Sequence, residues 1–456
     1  MTSFIAKTRE LFDRFDPKYV AFKRRVANFR YPSVKMGSLL SEPPEYGAGE
    51  AGIERLNDIT PRYIRITDID ENGELLPGLG MTAANVEPQY FLRDGDLLFA
   101  RSGNTVGKNY LHESERVSYP CFYAGYMIRF RFGEKVLPKY VFAFAQTPYY
   151  HEWVSAIQRS AGQPNINAQE YRNLEIPLPP LPEQRKIVAD LDAAYAAKRA
   201  ADERAAKLLA SIDEMVLNEL GIANLPKPDT SLSSRIFTVS AKEVHNGRLD
   251  AYYYKGNFKE LNKKLSCCNC VPFGRLITEI YNGIDCRDYK ESGVPYLKVA
   301  NVKPGEFDFD DLKYIDSQEV GAKDIALRAG RMLLTRKGTF GNAIALSENY
   351  DYAISSEVFC LSIKNELVDV HYLETFVNSS IGRMLCDKYK IGAIMGSLSQ
   401  EAVKALPIPL PDAKVQHRIA SRASSIRAEA RKLKADATSS LDAAKRGIEM
   451  EIVRER

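Results

Sequence analysis

The sequence contains a proline-rich turn that is followed by a long stretch without proline. Residues 176–182 read IPLPPLP, and four prolines in seven residues exclude a helix interior, because proline lacks the backbone N–H and fixes φ. From Glu183 to Leu220 the residues are mostly strong helix formers, and Gly221 follows as a typical helix-ending glycine. The pattern predicts a helix of about 57 Å, which is long for a globular protein and typical of a spacer.

The same pattern occurs a second time near the end of the chain. Residues 406–413 read LPIPLPDA and match LEIPLPPL at five of eight positions, and a proline-free stretch then runs from Asp412 to Arg456. Three further matches lie upstream in the same order, at offsets of 233 to 235 residues: RFDPKY at Arg14 with RLDAYY at Arg248, YIRITDI at Tyr63 with YLKVANV at Tyr296, and LRDGDLLFARSG at Leu92 with LRAGRMLLTRKG at Leu327. The nearly constant offset predicts two copies of one unit, each a globular part followed by a long helix.

The globular parts combine short strands with a few helices. Alternating apolar residues between turn residues predict strands at Arg62–Thr67, Asp96–Arg101 and Gly125–Phe132. Apolar residues at helical spacing predict helices at Phe4–Phe15 and within Pro138–Ala161, where Pro148 must interrupt or restart the helix. The sequence therefore predicts the α+β class for both parts.

The two long helices carry heptad patterns. In the first helix the pattern falls on Val188, Leu191, Tyr195, Lys198, Asp202, Ala205, Leu209, Ile212 and Val216, and in the second on Ile419, Ala423, Ile426, Ala430, Leu433, Ala437, Ser440 and Ala444. The alternating alanines of the second helix allow close approach, so we expect an antiparallel coiled coil and globular parts related by a pseudo-two-fold axis. Lys198 and Asp202 on this seam would disfavour slipped registers. The alternative is that each helix packs only onto its own domain.

Composition limits the class of protein. Hydrophobic residues make up 45% and charged residues 27% of the 456 residues, as in soluble globular proteins. No apolar run approaches the roughly eighteen residues of a membrane span, and seven irregularly spaced cysteines favour reduced thiols in the cytoplasm. The net charge of +4 is mild, so a nucleic-acid partner would need locally arranged basic residues. The basic segment Lys18–Arg30 is either a phosphate-contacting arm or a solvated helix face.

The search for catalytic residues and metal ligands finds none. Residues 101–109, RSGNTVGKN, have one residue too few between their glycines for a phosphate loop, and Asn109 stands where Ser or Thr should bind magnesium. Cys267, Cys268 and Cys270 have no second Cys or His pair near them, which favours a surface turn with free thiols over a metal site. We therefore expect no active site, no metal and no cofactor.

Polar loops occupy corresponding places in both copies. The first copy offers Arg101, Ser102, Asn104 and Lys108 in one loop, and Gln163, Asn165 and Asn167 in a turn before IPLP. The second offers Thr335, Arg336, Lys337, Thr339 and Asn342 in one loop, and Ser397, Ser399 and Gln400 in the corresponding turn. Arg, Asn and Gln have the forked donors and acceptors that read base edges, while Lys and Ser suit phosphates, so these are candidate DNA contacts. The alternative is that they are ordinary turns with structural polar residues.

These motifs resemble those of the specificity subunit of a Type I restriction-modification enzyme. The resemblance is carried by LRDGDLLFARSGNTVGK, by the QPNIN turn and by LEIPLPPLPEQRKIVADLD, and it covers nearly the whole chain. The second copy departs from the pattern, because PDAKVQHRI stands where the first copy has PLPEQRKI and keeps only Gln416, Arg418 and Ile419 of EQRKI.

The resemblance implies an architecture and a set of partners. Residues 1–180 and 222–410 would be target recognition domains, each reading one half of a bipartite site in double-stranded DNA. Residues 181–221 and 411–456 would be conserved spacer helices that dock two methyltransferase subunits, with a restriction or motor subunit joining through the complex. The departure in the second copy implies weaker or altered contacts with these partners. The alternative is a non-catalytic coiled-coil scaffold whose two domains bind protein rather than DNA.

Overall fold

The computed structural model describes residues 17–25, 28–158, 164–222, 249–320, 327–392 and 396–454, with short pieces between 231 and 244. The chain divides into two compact units. The first unit comprises Met1–Asp202 together with Lys434–Arg456, and the second comprises Glu203–Leu433. The helix predicted at Phe4–Phe15 lies outside the described residues.

The helices include the two long ones that the sequence predicts. In the described part of the chain they are α1 (Pro17–Arg25), α2 (Pro138–Phe144), α3 (Pro148–Ile157), α4 (Ala168–Arg172), α5 (Leu181–Glu219), α6 (Gly256–Leu265), α7 (Ser317–Val320), α8 (Val370–Asn378), α9 (Ser380–Tyr389), α10 (Gln400–Ala405) and α11 (Ala413–Ile452). α3 begins at Pro148, which confirms the predicted restart of the helix there. Gly221, at φ 67°, follows α5, and the Asp412 carboxylate caps α11 by accepting from Val415 N at 2.9 Å. None of the described helices has the length and apolarity that a membrane span needs.

The strands are short. They are β1 (Asn28–Phe29), β2 (Ser33–Lys35), β3 (Glu45–Tyr46), β4 (Ile53–Glu54), β5 (Arg62–Ile64), β6 (Met81–Thr82), β7 (Leu97–Ala100), β8 (Asn109–Leu111), β9 (Cys121–Tyr123), β10 (Met127–Phe130), β11 (Glu175–Pro177), β12 (Cys270–Pro272), β13 (Ile277–Asn282), β14 (Val294–Leu297), β15 (Val302–Lys303), β16 (Glu306–Phe307), β17 (Lys313–Ile315), β18 (Arg331–Thr335), β19 (Ala343–Ala345), β20 (Ala353–Ile354), β21 (Val358–Ile363), β22 (Pro407–Pro409) and β23 (Val453–Arg454). β5 ends earlier than predicted, because Asp68 accepts from Arg65 N at 2.9 Å and the chain turns into a 3-10 helix.

The first unit is built on two four-stranded sheets. One is antiparallel with the order β3-β10-β7-β8, and the other has the order β4-β6-β5-β9 with β5 and β9 parallel. Two small pairs, β2–β11 and β1–β23, join distant parts of the chain. The core lies between the antiparallel sheet, α2, α3 and the first turns of α5.

The second unit repeats this plan. Its antiparallel sheet has the order β13-β21-β18-β19, and its second sheet, β17-β14-β20, contains the parallel pair β14–β20. β12 pairs with β22 as β2 pairs with β11. The repeat predicted from the sequence is therefore confirmed as two α+β units with the same central strand order.

Equivalent side chains fix the first turn of each long helix to the unit in which that helix begins. Gln184 in α5 accepts from Leu137 N at 2.9 Å and donates to Pro179 O at 2.9 Å. Gln416 in α11 accepts from Asp369 N at 2.9 Å and donates to Pro411 O at 2.8 Å. Both glutamines are buried, so their amide groups need partners inside the protein, and each finds two backbone groups.

The two long helices pack antiparallel within each unit. In the first unit the start of α5 meets the end of α11, where Lys186 and Glu451 form an ion pair at 3.1 Å. In the second unit the end of α5 meets the start of α11, where Glu219 pairs with Arg418 at 2.6 Å. The predicted antiparallel packing is therefore confirmed.

The register predicted for α11 is wrong beyond Ala437. The heptad pattern assigned Ser440 to the seam, but Ser440 is exposed and Leu441 is 1% exposed in the core of the first unit. Ala437 is half-buried, and the two buried positions that follow it, Leu441 and Lys445, each lie four residues further along the helix. A straight helix drifts against a strict seven-residue repeat, so the seam moves to the next residue.

Candidate nucleic-acid interface

The two polar loops of the first unit lie side by side. Ser102, in the loop between β7 and β8, forms an antiparallel bridge with Asn165 in the turn before α4. Ile166 N donates to Arg101 O at 2.8 Å, and Gly103 N donates to Pro164 O at 3.0 Å. Segments that are far apart in sequence therefore present their polar side chains on one surface.

The second unit has the same arrangement. Lys337, in the loop between β18 and β19, forms an antiparallel bridge with Ser397 in the turn before α10. Leu398 N donates to Arg336 O at 2.9 Å, as Ile166 N donates to Arg101 O.

A third segment joins each surface. Arg101 N donates to Tyr126 O at 2.9 Å in the turn between β9 and β10, and Arg336 N donates to Glu357 O at 2.9 Å in the turn between β20 and β21. We call the surface of the first unit, formed by residues 101–108, 124–126 and 164–167, the first face. The second face comprises residues 336–342, 355–357 and 396–399.

Two buried tyrosines hold the ends of the β7–β8 loop. The Tyr150 hydroxyl donates to Gly107 O at 2.7 Å, and the Tyr171 hydroxyl donates to Ala100 O at 2.8 Å. Burial raises the pKa of both tyrosines, so the hydroxyls stay protonated and remain donors. The loop therefore leaves and re-enters the sheet at fixed points.

Different residues hold the β18–β19 loop. Thr335 Oγ1 donates to Thr339 O at 2.8 Å and accepts from Asn342 N at 2.8 Å. Arg383 donates to Phe340 O at 3.2 Å and to the side-chain oxygen of Asn342. Burial lowers the pKa of Arg383, yet the group remains a cation because an arginine pKa lies far above neutral pH.

Four of the predicted residues of the first face have side chains that reach its surface. Asn104 is exposed, and Arg101, Ser102 and Asn165 are half-buried. The guanidinium of Arg101 lies 4.9 Å from the ring centre of Tyr46, within cation–π range. An arginine held on an aromatic ring is preorganised and still has free N–H donors.

The other predicted residues of the first unit have internal partners or are not described. Lys108 Nζ donates to Ile69 O at 2.9 Å and is half-buried. The Asn167 side chain accepts from Glu170 N at 3.0 Å and caps α4. Gln163 lies outside the described residues.

In the second face the side chains at the surface are those of Lys337, Thr339 and Ser397. Lys337 and Thr339 are exposed, and Ser397 is half-buried. Arg336 folds inward, 5.3 Å from the ring centre of Phe359, and donates to a backbone oxygen of the β20–β21 turn at 3.3 Å.

The remaining predicted residues of the second unit have internal partners. Asn342 is 4% exposed and donates to Val302 O at 2.7 Å. Ser399 accepts from Ala402 N at 3.0 Å and caps α10. Thr335 is fully buried under the β18–β19 loop.

Sequence reasoning missed three surface residues: Tyr46, Tyr126 and Glu357. Tyr126 is 66% exposed and Tyr46 is 40% exposed, both beside Arg101. Tyr126 and Glu357 occupy the same place in the two units, directly before the strand that pairs with β7 or β18. The sequence did contain a signal for two of them: in each copy a turn residue, Tyr126 or Glu357, comes directly before an apolar strand.

Metal ligands do not converge in the part of the chain that the structure describes. No group of three or more His, Cys, Asp or Glu side chains there has the arrangement of a metal site. The Cys267 and Cys268 sulfurs lie 3.8 Å apart near the end of α6, and Cys267 Sγ also contacts Lys264 O.

Comparison with protein families shows which family the chain belongs to. Residues 81–207 and 283–437 match the family described as "Type I restriction modification DNA specificity domain". The chain belongs to this family. Each matched segment contains one of the two faces, so the Type I specificity family covers both units.

Individual relatives are distant. The EcoKI specificity subunit of Escherichia coli K12 is 22% identical over 246 residues, which are 53% of this chain and 47% of that subunit. The chain thus matches about half the length of this relative. The MjaVIII specificity subunit of Methanocaldococcus jannaschii is 20% identical over 354 residues, 74% of this chain and 73% of the relative. A solved Type I S subunit from M. genitalium, 11% identical, aligns over 92% of this chain and 96% of its own with a TM-score of 0.40.

The family match confirms the predicted resemblance to a Type I specificity subunit. It also confirms the interpretation of this chain as a specificity subunit rather than a catalytic one.

Proposed function

We propose that this specificity subunit reads a bipartite site in double-stranded DNA, with each unit contacting one half of the site. The observation that carries the proposal is the pair of equivalent faces. In both units, segments far apart in sequence converge at the same end of the central sheet and present polar side chains. These are Arg101, Ser102, Asn104 and Asn165 in the first face and Lys337, Thr339 and Ser397 in the second. Such groups supply the donors and acceptors for base edges and phosphates. We assign the readers to residues 1–180 and 222–410 as target recognition domains.

The two faces differ in which cation reaches outward. In the first face Arg101 rests on Tyr46 at the surface, so a guanidinium can approach a base edge. In the second face Arg336 packs inward on Phe359, and the neighbouring Lys337 is the exposed cation. We therefore propose that Arg101 and Lys337 make direct DNA contacts, while Arg336 supports the second face from beneath. Such differences would let two units with one plan read two different half-sites.

We propose that α5 and α11 are the spacer that docks two methyltransferase subunits, with a restriction or motor subunit joining through the assembled complex in the cytoplasm.

The residues that the second copy retains from EQRKI have roles inside this chain. Gln416 closes two backbone groups, Arg418 pairs with Glu219, and Ile419 is buried in the core. Their retention therefore follows from the fold alone. The residues that differ are free to alter contacts with the partner subunits.

The test is a measurement of DNA affinity by fluorescence anisotropy at fixed salt. Each variant is assembled with the methyltransferase subunits and titrated onto a duplex that the unchanged protein binds. Arg101→Ala and Lys337→Ala should each weaken binding. The loss should be about 1–3 kcal/mol where the side chain contacts a base. Arg336→Ala should weaken binding too, through the shape of the second face.

Matched controls lie at the opposite ends of the same strands. Arg93 precedes β7 as Arg101 follows it, and Arg328 precedes β18 as Arg336 follows it; both control residues are exposed. Arg93→Ala and Arg328→Ala should leave the affinity unchanged. If the variants of Arg101, Arg336 and Lys337 bind like these controls, the loops are not the readers. If the unchanged chain binds no duplex with or without its partner subunits, the two domains bind something other than DNA.

A further inference from the structure

One exposed side chain of the second face has no structural role. Glu357 forms the outer corner of the β20–β21 turn, where its backbone oxygen accepts from Arg336 N at 2.9 Å. Its side chain is exposed, and within the described part of the chain its carboxylate has no hydrogen bond or ion pair. On a surface proposed to face DNA, such a carboxylate would lie near phosphates that repel it.

The strand register places an arginine directly opposite Glu357, yet the two side chains do not pair. β18 and β21 pair Thr335 with Val358, so Arg336 and Glu357 are the next opposed residues. Directly opposed residues of an antiparallel pair project from the same side of the sheet, where opposite charges normally attract. Here the Arg336 side chain turns away from Glu357, onto Phe359 and the Ser356 backbone oxygen. The carboxylate is thereby left directed to solvent.

The turn that carries Glu357 is held by its backbone. Gly283 N donates to Val358 O at 3.2 Å, and Ser356 N donates to Ile284 O at 2.8 Å. A Cβ at position 283 would overlap the Ile354 carbonyl oxygen, so this close approach requires glycine. The first unit has the same contact, in which Gly47 N donates to Met127 O at 3.2 Å. The backbone that carries the carboxylate is therefore held at a fixed point, so binding costs little backbone freedom.

The chemistry of DNA limits what this carboxylate can bind. Phosphates repel it, and the base edges offer it only exocyclic amino groups, which in the major groove belong to cytosine N4 and adenine N6. We infer that Glu357 is a specificity-determining residue of the second unit that accepts a hydrogen bond from the amino group of a cytosine or adenine. The inference rests on the proposed DNA-reading function. The equivalent residue of the first unit is Tyr126, so the two units apply different chemistry at this position.

The experiment compares Glu357→Ala with Glu366→Ala. Glu357 precedes β21, and Glu366 is an exposed glutamate that follows it, so the control removes one charge at the far end of the same strand. Thermal unfolding should show that both variants fold like the unchanged protein. Affinities are measured on the preferred duplex and on duplexes in which each base pair of the second half-site is replaced in turn.

Glu357→Ala, which removes the acceptor oxygens, should lose roughly tenfold of the discrimination at one base pair, which is the range of a single base contact. Its affinity for mismatched duplexes should be equal or higher, because a charge that repels phosphates is gone. A duplex that lacks the amino group at that position, with 2-pyrimidinone in place of cytosine or purine in place of adenine, identifies the base. The unchanged protein should lose roughly tenfold on it, and the variant should lose little.

Two results would overturn the inference while leaving the proposed function intact. One is a uniform rise in affinity for all duplexes, which would show that Glu357 only repels the backbone. The other is unchanged discrimination at every base pair, as with Glu366→Ala. If the unchanged protein itself shows no sequence preference, the proposed function falls and the inference falls with it.

Discussion

At the scale of single residues, the two copies share side chains that close backbone groups and differ in side chains that face outward. Gln184 and Gln416 make the same pair of backbone contacts, and Tyr140 and Tyr372 donate to Pro177 O and Pro409 O at 2.6 and 2.7 Å. Such contacts are required wherever a buried backbone group lacks another partner. Outward positions carry no such requirement, so they can diverge with the target sequence.

Gln184→Ala should lower the free energy of unfolding by about 1–3 kcal/mol, because Pro179 O would be left buried without a partner and Leu137 N would lose its acceptor. The measurement is the shift of the urea midpoint. Gln169→Ala, on the exposed side of α4, is the matched control and should leave the midpoint in place. An equal shift for the two variants would contradict the structural role of Gln184.

His112 should make the stability of the protein depend on pH. It is 4% exposed, and burial lowers its pKa below the usual value of 6.5 despite nearby carboxylates. When the pH falls below 6.5, the unfolded chain binds a proton that the folded chain does not, so the free energy of unfolding decreases. The stability advantage of the unchanged protein over His112→Gln should therefore shrink between pH 7.5 and 5.5. His417→Gln, at an exposed site, should give no such change; parallel profiles for all three proteins would refute the claim.

The sequence predicted where the polar loops lie, but it did not predict which of their side chains point outward. The sequence shows polar residues at Lys108 and Asn342, yet their partners are Ile69 O and Val302 O on other segments of the chain. Polarity alone cannot separate a side chain that closes a buried backbone group from one that faces solvent. The reverse holds for Tyr126, which sequence reasoning treated as part of a strand and the structure exposes in a turn.

At the scale of elements, the long helices were the most predictable part of the fold. Their strong helix formers, the glycine at position 221 and the capping Asp412 are local signals, and both helices form within a few residues of the predicted bounds. The seam residues of α11 depend on how the helix drifts against its neighbours, which no local signal specifies. The strands were predicted too long where side chains such as Asp68 end them.

The corrected seam leads to an element-scale prediction. Leu441→Ala should destabilise the first unit by about 2–5 kcal/mol, because Leu441 is 1% exposed and packs in the core with Ile187 and Leu191. Ser440→Ala should change the free energy of unfolding by less than about 0.5 kcal/mol, since Ser440 is exposed. Chemical denaturation of the two variants is the measurement. A larger effect at Ser440 would restore the heptad register that the sequence alone predicts.

At the scale of the whole molecule, we expect the length of the helices to set the spacing between the two half-sites. Seven residues inserted after Ala205 would preserve the heptad face and lengthen α5 by about 10 Å, which is about three base pairs of DNA. The preferred spacing should change while each half-sequence stays the same, as measured on duplexes with varied spacers. An assembled variant with a lengthened α5 and the original spacing preference would show that something other than the helix sets it.

The claim that each unit reads one half of the site is tested most directly by selecting bound sequences from random duplex DNA, using the protein with its methyltransferase subunits. The unchanged protein should select two short blocks separated by a spacer without sequence preference. A variant of the first face, with Arg101, Asn104 and Asn165 replaced by alanine, should lose or alter one block and keep the other. A single uninterrupted block, or a change in both blocks when only the first face is altered, would contradict the claim that each unit reads one half of the site.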